Sequence, residues 1–270
     1  EYAPGPEIRR DFPSPFEAFD PDKQKPAQTP EAAEAAFREA VEVARRADVV
    51  IMVLGELDNM AGEAASRGSI GLPGRQEELL QAVVALGKPV ALVLLNGRPL
   101  SINWAAEHVP AILEAWEPGT EGGHAVADIL FGDANPGGKL PVTFPRSGSH
   151  APLYYARTLT HQPEDHFMYS SRYWDSPTTP LYPFGFGLSY TTFSISSLKL
   201  SAAQVKIGEA LTVTADVTNT GQRAGDEVVQ LYIHQRYGSD SRPMRELKGF
   251  ERVTLQPGET TSCVGCHEPR

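Results

Sequence analysis

Two continuous apolar runs separated by amphipathic patterns constrain the fold of this chain more than any other feature. The runs cover residues 49–54 and 89–95 and consist almost entirely of Val, Leu, Ile, Met and Ala. Such runs are typical of strands buried on both faces of a parallel sheet, because helices cover such a sheet on each side. Residues 111–116 predict a third strand, and residues 121–131 predict a helix after it. Strand and helix alternate through about residue 132, which predicts a layered α/β domain with a parallel sheet.

Helix start and stop signals flank the first strand. Thr29 supplies an N-cap and Pro30 a first-turn proline for the helix that precedes the strand. The helical pattern after the strand ends at Gly87, which suits the position just past a helix because glycine adopts left-handed dihedral angles without steric cost. We therefore expect one helix on each side of the first strand in the sequence.

The pattern changes to short alternating strands after about residue 193, with Gly- and Pro-containing turns between them. This pattern predicts a small β-sandwich, but only about four or five strands fit before residue 270, against the usual seven or so. We therefore expect a truncated second domain. The predicted division is an irregular segment (1–28), an α/β domain (29–145), an extension rich in aromatic, Pro and Gly residues (146–192) and the incomplete sandwich (193–270).

The charge balance limits the classes of partner. The 270 residues carry a formal net charge of −10. Nucleic-acid backbones and anionic membrane surfaces select basic patches, so we expect neither as a partner. The longest apolar run is also far shorter than the ~20 residues that a membrane-spanning helix needs. A neutral or polar substrate fits this composition better.

The loop that follows the first apolar run, residues 55–67, carries the clearest chemical signal. It places Glu56 and Glu63 in a Gly- and Ala-rich sequence at the end of a strand, where α/β proteins position catalytic residues. Either carboxyl group is a candidate general acid/base, although no second carboxylate site of comparable clarity occurs elsewhere. The alternatives for Glu63 are a solvated loop carboxylate or an ion pair with Arg67, four residues later.

Near the C-terminus, Cys263, Cys266 and His267 match the Cys-x-x-Cys-His spacing of haem c attachment. They lie close to residue 270, however, and no small helical domain with an axial methionine surrounds them. Two cysteines and one histidine are also one ligand short of a closed zinc site. A strained local disulfide is a further alternative. We therefore expect neither a metal nor another cofactor.

Five short motifs stand in a characteristic order along the chain. They are Gly55-Glu56 with Gly62-Glu63-Ala64-Ala65-Ser66-Arg67, Leu95-Asn96-Gly97-Arg98-Pro99-Leu100, Trp116-Glu117-Pro118-Gly119-Thr120-Glu121-Gly122-Gly123, Asn135-Pro136-Gly137-Gly138-Lys139-Leu140-Pro141 and Tyr182-Pro183-Phe184-Gly185-Phe186-Gly187-Leu188-Ser189-Tyr190. From about residue 30 to about residue 260, the chain resembles the C-terminal half of glycoside hydrolase family 3 enzymes, the bacterial β-glucosidases and β-xylosidases. The resemblance implies a three-layer α/β sandwich with a largely parallel sheet, followed by a fibronectin type III-like domain. It favours a periplasmic or secreted location.

The resemblance also implies a function. The enzymes that this chain resembles have an N-terminal TIM barrel, which supplies an aspartate nucleophile. In these enzymes a loop of the α/β sandwich supplies the general acid/base. This implies a retaining, exo-acting β-glycosidase (β-glucosidase-like) that acts on the terminal non-reducing β-D-glucosyl residues of oligosaccharides or aryl β-glycosides. Glu63 is the candidate acid/base with Glu56 as the alternative, and Asp58 and Arg67 are candidates for orienting sugar hydroxyls. Because retaining hydrolysis needs two carboxyl groups ~5 Å apart, we expect the chain to be inactive without the barrel.

Two functions of other classes fit parts of the sequence. One is a stand-alone, non-catalytic carbohydrate-binding or interaction module made of the two domains. An upstream barrel in the same reading frame favours the enzyme, whereas a start codon directly before Glu1 favours the module. The other is electron transfer through a haem bound at Cys263, Cys266 and His267, for which a Soret band is the diagnostic signal.

Overall fold

The first half of the chain alternates helix and strand. Its helices and strands are α1 (Pro30–Arg46), β1 (Val50–Gly55), α2 (Gln76–Val84), β2 (Val90–Leu95), α3 (Asn103–His108), β3 (Ala111–Glu114) and α4 (Gly122–Phe131). The three strands pair in parallel in the order β1-β2-β3. The predicted α/β class is confirmed, and the short helix α3 is an addition to the prediction.

The computed structural model describes residues 1–9, 27–158 and 173–267. The chain divides into two structural units, of which the first comprises Glu1–Gly123 and Pro145–Ala151 and the second His124–Phe144 and Pro152–Arg270. The four-segment division made from the sequence stays a prediction. Every helix in the described ranges is too short or too polar to cross a bilayer.

Local signals in the sequence account for the helix ends. The Thr29 hydroxyl accepts a hydrogen bond from the backbone N–H of Ala32 at 3.2 Å, and Pro30 occupies the first turn of α1. This cap satisfies one of the N–H groups that the first turn of a helix leaves without a partner. Gly87 follows α2 with a φ of 72°, a left-handed value that favours glycine.

The core of the first unit is centred on β2. Leu92 and Leu94 are fully buried, as expected for the central strand of a covered parallel sheet. The prediction of burial on both faces does not hold for the first apolar run, residues 49–54, where Val49, Ile51 and Val53 are 59, 46 and 55 % exposed. These three residues alternate along the chain and share one face. None of the described elements covers that face.

The second unit contains five antiparallel strands among its described residues. They are β4 (Phe193–Leu200), β5 (Leu211–Asn219), β6 (Gly225–Ile233), β7 (Glu246–Leu255) and β8 (Thr260–His267). One sheet has the order β4-β5-β8 and the other pairs β6 with β7. Val217, Val253, Leu255 and Cys263 form the buried cluster of this unit. The predicted small sandwich is confirmed, with fewer strands than the seven or so that are usual.

Gly55, the last residue of β1, provides a test of this geometry. Its φ is 148°, and a Cβ atom built there would lie 1.8 Å from the backbone oxygen of Leu95 on β2. We expect Gly55→Ala to lower the free energy of unfolding by at least about 3 kcal/mol. Urea unfolding followed by tryptophan fluorescence measures this, since Trp104 and Trp116 lie in the first unit.

Gly68→Ala is the matched control. A Cβ atom at Gly68 meets nothing within 4 Å, and its φ lies outside the left-handed range. We expect this substitution to change the free energy of unfolding by less than about 0.5 kcal/mol. Equal effects of the two substitutions would contradict the close approach of β1 and β2 at Gly55.

Candidate active site

The three parallel strands end at one edge of the sheet, and a polar side chain marks each of these ends. Glu56 directly follows β1, Asn96 directly follows β2, and Glu114 is the last residue of β3. In open parallel sheets, ligands bind outside the carboxyl ends of the strands. This edge and the β1–α2 loop (residues 56–75) form the candidate site.

Gln76 fixes the point at which the chain leaves β1. Its side-chain oxygen accepts a hydrogen bond from the backbone N–H of Gly55 at 2.7 Å, and its Nε2 donates to the backbone oxygens of Gly55 at 2.7 Å and Pro73 at 3.0 Å. The amide is buried, and backbone groups satisfy both of its polar ends. The two ends of the β1–α2 loop are therefore joined through one side chain.

Glu56 is a buried carboxylate between two arginines. Its side chain is 1 % exposed. Arg67 donates from Nη1 to Oε1 at 2.6 Å, and Nε of Arg98 lies 3.1 Å from Oε1 and 3.3 Å from Oε2. Arg67 also donates from Nη2 to the backbone oxygen of Gly71 at 3.0 Å. A buried charge is tolerated only when it is paired and hydrogen-bonded, and these contacts meet that condition.

Glu63 has a different environment in the same loop. It is exposed, and none of the described residues forms a hydrogen bond or ion pair with its carboxylate. The ion pair with Arg67 that the sequence spacing allows is absent, because Arg67 binds Glu56. The residues on either side have positive φ values, 98° at Gly62 and 55° at Ala64. The backbone thus makes a tight turn that presents the Glu63 carboxylate to solvent.

The structure brings together only part of the predicted site. Glu56 and Arg67 are in direct contact, whereas Asp58 is exposed at the start of a 3₁₀ turn, Asp58–Met60. Arg67 directs both of its Nη atoms to protein acceptors. The roles predicted for Glu63, Glu56, Asp58 and Arg67 in catalysis or sugar binding stay predictions.

Glu114 is a second carboxyl group at this edge with an unusual environment. Its Oε1 accepts hydrogen bonds from the backbone N–H of Trp116 at 3.0 Å and from Nδ2 of Asn96 at 3.2 Å. Burial raises the pKa of Glu114 to about 7, although these two hydrogen bonds lower it. Trp116 has a φ of 53°, so the chain leaves β3 through a strained residue.

Sequence reasoning did not include Arg98, Asn96 or Glu114 among the site residues. A usable signal was present, since Asn96 and Arg98 belong to a motif that directly follows an apolar strand, and Glu114 ends another. The carboxyl ends of neighbouring parallel strands meet at one edge of a sheet, so the three strand assignments were enough to place these residues near Glu56, but that step was not taken.

The described residues contain no group of three or more His, Cys, Asp or Glu side chains arranged to hold a metal ion. Cys263 is a free cysteine and belongs to the buried cluster of the second unit. Burial raises the pKa of its thiol, and Glu251 adds to this effect. The haem alternative for Cys263, Cys266 and His267 stays a prediction. The side chains of Cys266 and His267 lie outside the described part.

Two family models match the chain. The glycosyl hydrolase family 3 C-terminal domain matches residues 4–190, and the fibronectin type III-like domain matches residues 227–264. The chain belongs to glycosyl hydrolase family 3. The family resemblance carried by the five motifs is thereby confirmed, as is the fibronectin type III-like character of the β-sandwich.

Similar family 3 proteins are β-glucosidases and β-xylosidases. The periplasmic β-glucosidase of Salmonella typhimurium is 49 % identical over 85 % of this chain and 30 % of its own length. A β-xylosidase of Formosa agariphila is 46 % identical over 83 % of this chain and 30 % of its own length. The structure of a β-glucosidase from Erythrobacter marinus has a TM-score of 0.83 at 43 % identity, over 89 % of this chain and 32 % of that one. The chain thus spans about a third of the length of these relatives.

The pKa of Glu114 predicts how stability depends on pH. The folded protein keeps the Glu114 proton up to about pH 7, whereas the unfolded chain releases it near the ordinary value of 4.5. The folded state binds more protons between these values, so this carboxyl group makes stability fall as the pH rises through that range. Glu114→Gln removes the charge, and we expect it to stabilise the protein by on the order of 1–3 kcal/mol at about pH 8 and by almost nothing at about pH 4.5.

Urea unfolding of the variant and the unmodified chain at several pH values measures this difference. Glu107→Gln on α3 is the control, because Glu107 is exposed and its replacement is expected to leave the pH dependence unchanged. A stability difference between Glu114→Gln and the unmodified chain that stays constant with pH would contradict the assignment.

Proposed function

We propose that this chain is the C-terminal part of a retaining, exo-acting β-glycosidase that hydrolyses terminal non-reducing β-D-glucosyl residues of oligosaccharides or aryl β-glycosides. Glu63 is the general acid/base, and the nucleophile lies in an N-terminal TIM barrel outside this chain. The observation that carries the proposal is the exposed Glu63 carboxylate, held in a tight turn at the carboxyl edge of the sheet.

The chemistry of retention explains why this environment suits Glu63. The acid/base must reach the glycosidic oxygen, donate a proton to it, and then take a proton from the attacking water. A carboxyl group that faces solvent and has no arginine partner can approach a substrate bound by another domain. Glu56 is less suited to this role, because its side chain is 1 % exposed and both of its oxygens contact Arg98.

The sugar preference in this proposal rests on the relatives. The Salmonella and Erythrobacter proteins are named as β-glucosidases, whereas the Formosa protein is a β-xylosidase. Glucosyl substrates are therefore the first to be tested, with xylosyl substrates beside them. Asp58 is proposed to orient a sugar hydroxyl, since it is exposed on the same loop as Glu63.

A fusion protein tests the proposal. It joins the part of the Salmonella β-glucosidase that this chain does not match to residues 1–270 of this chain. We expect Glu63→Gln in the fusion to lower kcat/KM for cellobiose about 10²–10⁴-fold, because the leaving sugar needs a proton. For 2,4-dinitrophenyl β-D-glucoside we expect a loss below about tenfold in the glycosylation step, because this leaving group departs without a proton.

Glu107→Gln in the fusion is the control, and we expect it to change neither rate. The 270-residue chain alone gives the baseline, for which we expect no turnover. Hydrolysis by that chain at ordinary enzyme rates would place a nucleophile within it and contradict the proposal. If Glu56→Gln rather than Glu63→Gln showed the dependence on the leaving group, Glu56 would be the acid/base. Sugar binding by the 270-residue chain alone, without any effect of Glu63→Gln on hydrolysis by the fusion, would favour the non-catalytic module.

A further inference from the structure

We propose that Arg98 is a positioning residue for the acid/base of this enzyme. Its guanidinium group joins the buried carboxylate of Glu56 to the two backbone carbonyl groups that border the turn of Glu63. This inference rests on the proposed role of Glu63, and it adds a function for the segment that follows β2. We call the set of Glu56, Arg67 and Arg98 the arginine clamp.

The contacts of Arg98 span the base of the turn. Its Nη2 donates to the backbone oxygen of Met60 and, at 2.9 Å, to the backbone oxygen of Ala65. Met60 and Ala65 are each 3 % exposed, so their carbonyl groups have little access to water and need a donor from the protein. The four residues between them include Glu63. One side chain therefore holds both ends of the turn at a fixed separation.

Glu56 and Arg67 keep the Arg98 guanidinium in place. The Glu56 carboxylate binds Nε of Arg98 on one side and Nη1 of Arg67 on the other. Arg67 lies at the far end of the turn and also binds the backbone oxygen of Gly71. The planar guanidinium presents several donors in a fixed arrangement, whereas a lysine ammonium offers only a point charge. The clamp therefore depends on arginine itself.

The segment that carries Arg98 is fitted to the loop. Nδ2 of Asn96 donates to the backbone oxygen of Arg98 at 2.8 Å, which fixes the turn after β2. A Cβ atom at Gly97 would lie 2.5 Å from Cβ of Ala61, so the two segments touch there and leave no room for a side chain. The close contact between Gly97 and Ala61 does not depend on the charged groups, and it places the turn after β2 directly against the start of the Glu63 turn.

The consequence for catalysis is a fixed position for the Glu63 carboxylate. The positive φ of Ala64 needs support from its surroundings, because a non-glycine residue in this conformation costs on the order of 1 kcal/mol. A displacement of about 1 Å at a catalytic group can cost about 10²-fold in rate. Without the clamp, the turn is expected to relax and to hold Glu63 less well for proton transfer.

The first arm of the test examines the turn in the 270-residue chain without any activity measurement. Endoproteinase Glu-C cuts after Glu63 only when the turn unfolds locally, so that this segment can bind in the active site of the protease. We expect Arg98→Lys to raise the rate of this cut by on the order of tenfold under native conditions. Cleavage after Glu209 in the second unit serves as the internal reference, and its rate is expected not to change.

Arg75→Lys is the matched control for this arm. Arg75 also bridges carboxylates, Glu78 at 2.6 Å and Glu34 at 2.9 Å, but it lies at the start of α2 and makes no contact with the Glu63 turn among the described residues. Glu56→Gln is a second variant that keeps both arginines, and we expect it to speed the same cut. Where Arg98→Lys does not fold, as judged by tryptophan fluorescence, Glu56→Gln decides the result. An unchanged cut after Glu63 in the folded variants would overturn the proposal.

The second arm measures catalysis in the fusion protein. We expect Arg98→Lys to lower kcat for cellobiose about 10–10²-fold with little change in KM, and to affect 2,4-dinitrophenyl β-D-glucoside much less. A purely structural role would lower the rates for both substrates equally, and that result would overturn the proposal. If Glu63→Gln lacks the leaving-group dependence, the proposed function fails. If Glu63→Gln shows the leaving-group dependence and Arg98→Lys does not, only the positioning role of Arg98 fails.

Discussion

The buried carboxylate of Glu56 organises the edge of the sheet at which the candidate site lies. Its charge has almost no access to water, so it requires partners from the protein, and the partners come from two different segments. Arg67 belongs to the same loop, whereas Arg98 follows the neighbouring strand. Arg67 and Arg98 also donate hydrogen bonds to backbone carbonyl groups of the loop. The two arginines that neutralise the Glu56 charge therefore also fix the conformation of the loop. Removal of either arginine would leave a buried charge poorly paired, which is costly.

Two glutamates seven residues apart in the sequence therefore have contrasting environments. Glu56 is buried and bonded to arginines, and Glu63 is exposed on a strained turn whose ends Arg98 holds. In our account, Glu56 stabilises the loop structure that positions Glu63. In the proposed function, another domain contributes the second carboxyl group that a retaining glycosidase needs. The chain itself spans about a third of the length of its relatives.

The sequence predicted those features of the fold that depend on local signals. The Thr29 cap, the apolar run of β2 and the change to antiparallel strands near residue 193 all depend on neighbouring residues, and the structure contains them. The exposed face of β1 was missed because an apolar run does not reveal whether another element covers each face of its strand. Within the site, the contact of Arg98 with Glu56 joins residues 42 positions apart, and the burial of Glu114 follows from packing, so neither was evident from local patterns.

The central claim, that Glu63 is the acid/base, is tested most directly by azide. In the fusion protein with Glu63→Gln, no negative charge at residue 63 repels the azide anion. Azide can therefore reach the glycosyl-enzyme intermediate and attack it. With 2,4-dinitrophenyl β-D-glucoside as substrate, our account predicts that turnover rises with azide and that NMR identifies the product as β-D-glucosyl azide, with retained configuration. Absence of that product with Glu63→Gln, together with its formation by Glu56→Gln, would contradict the account.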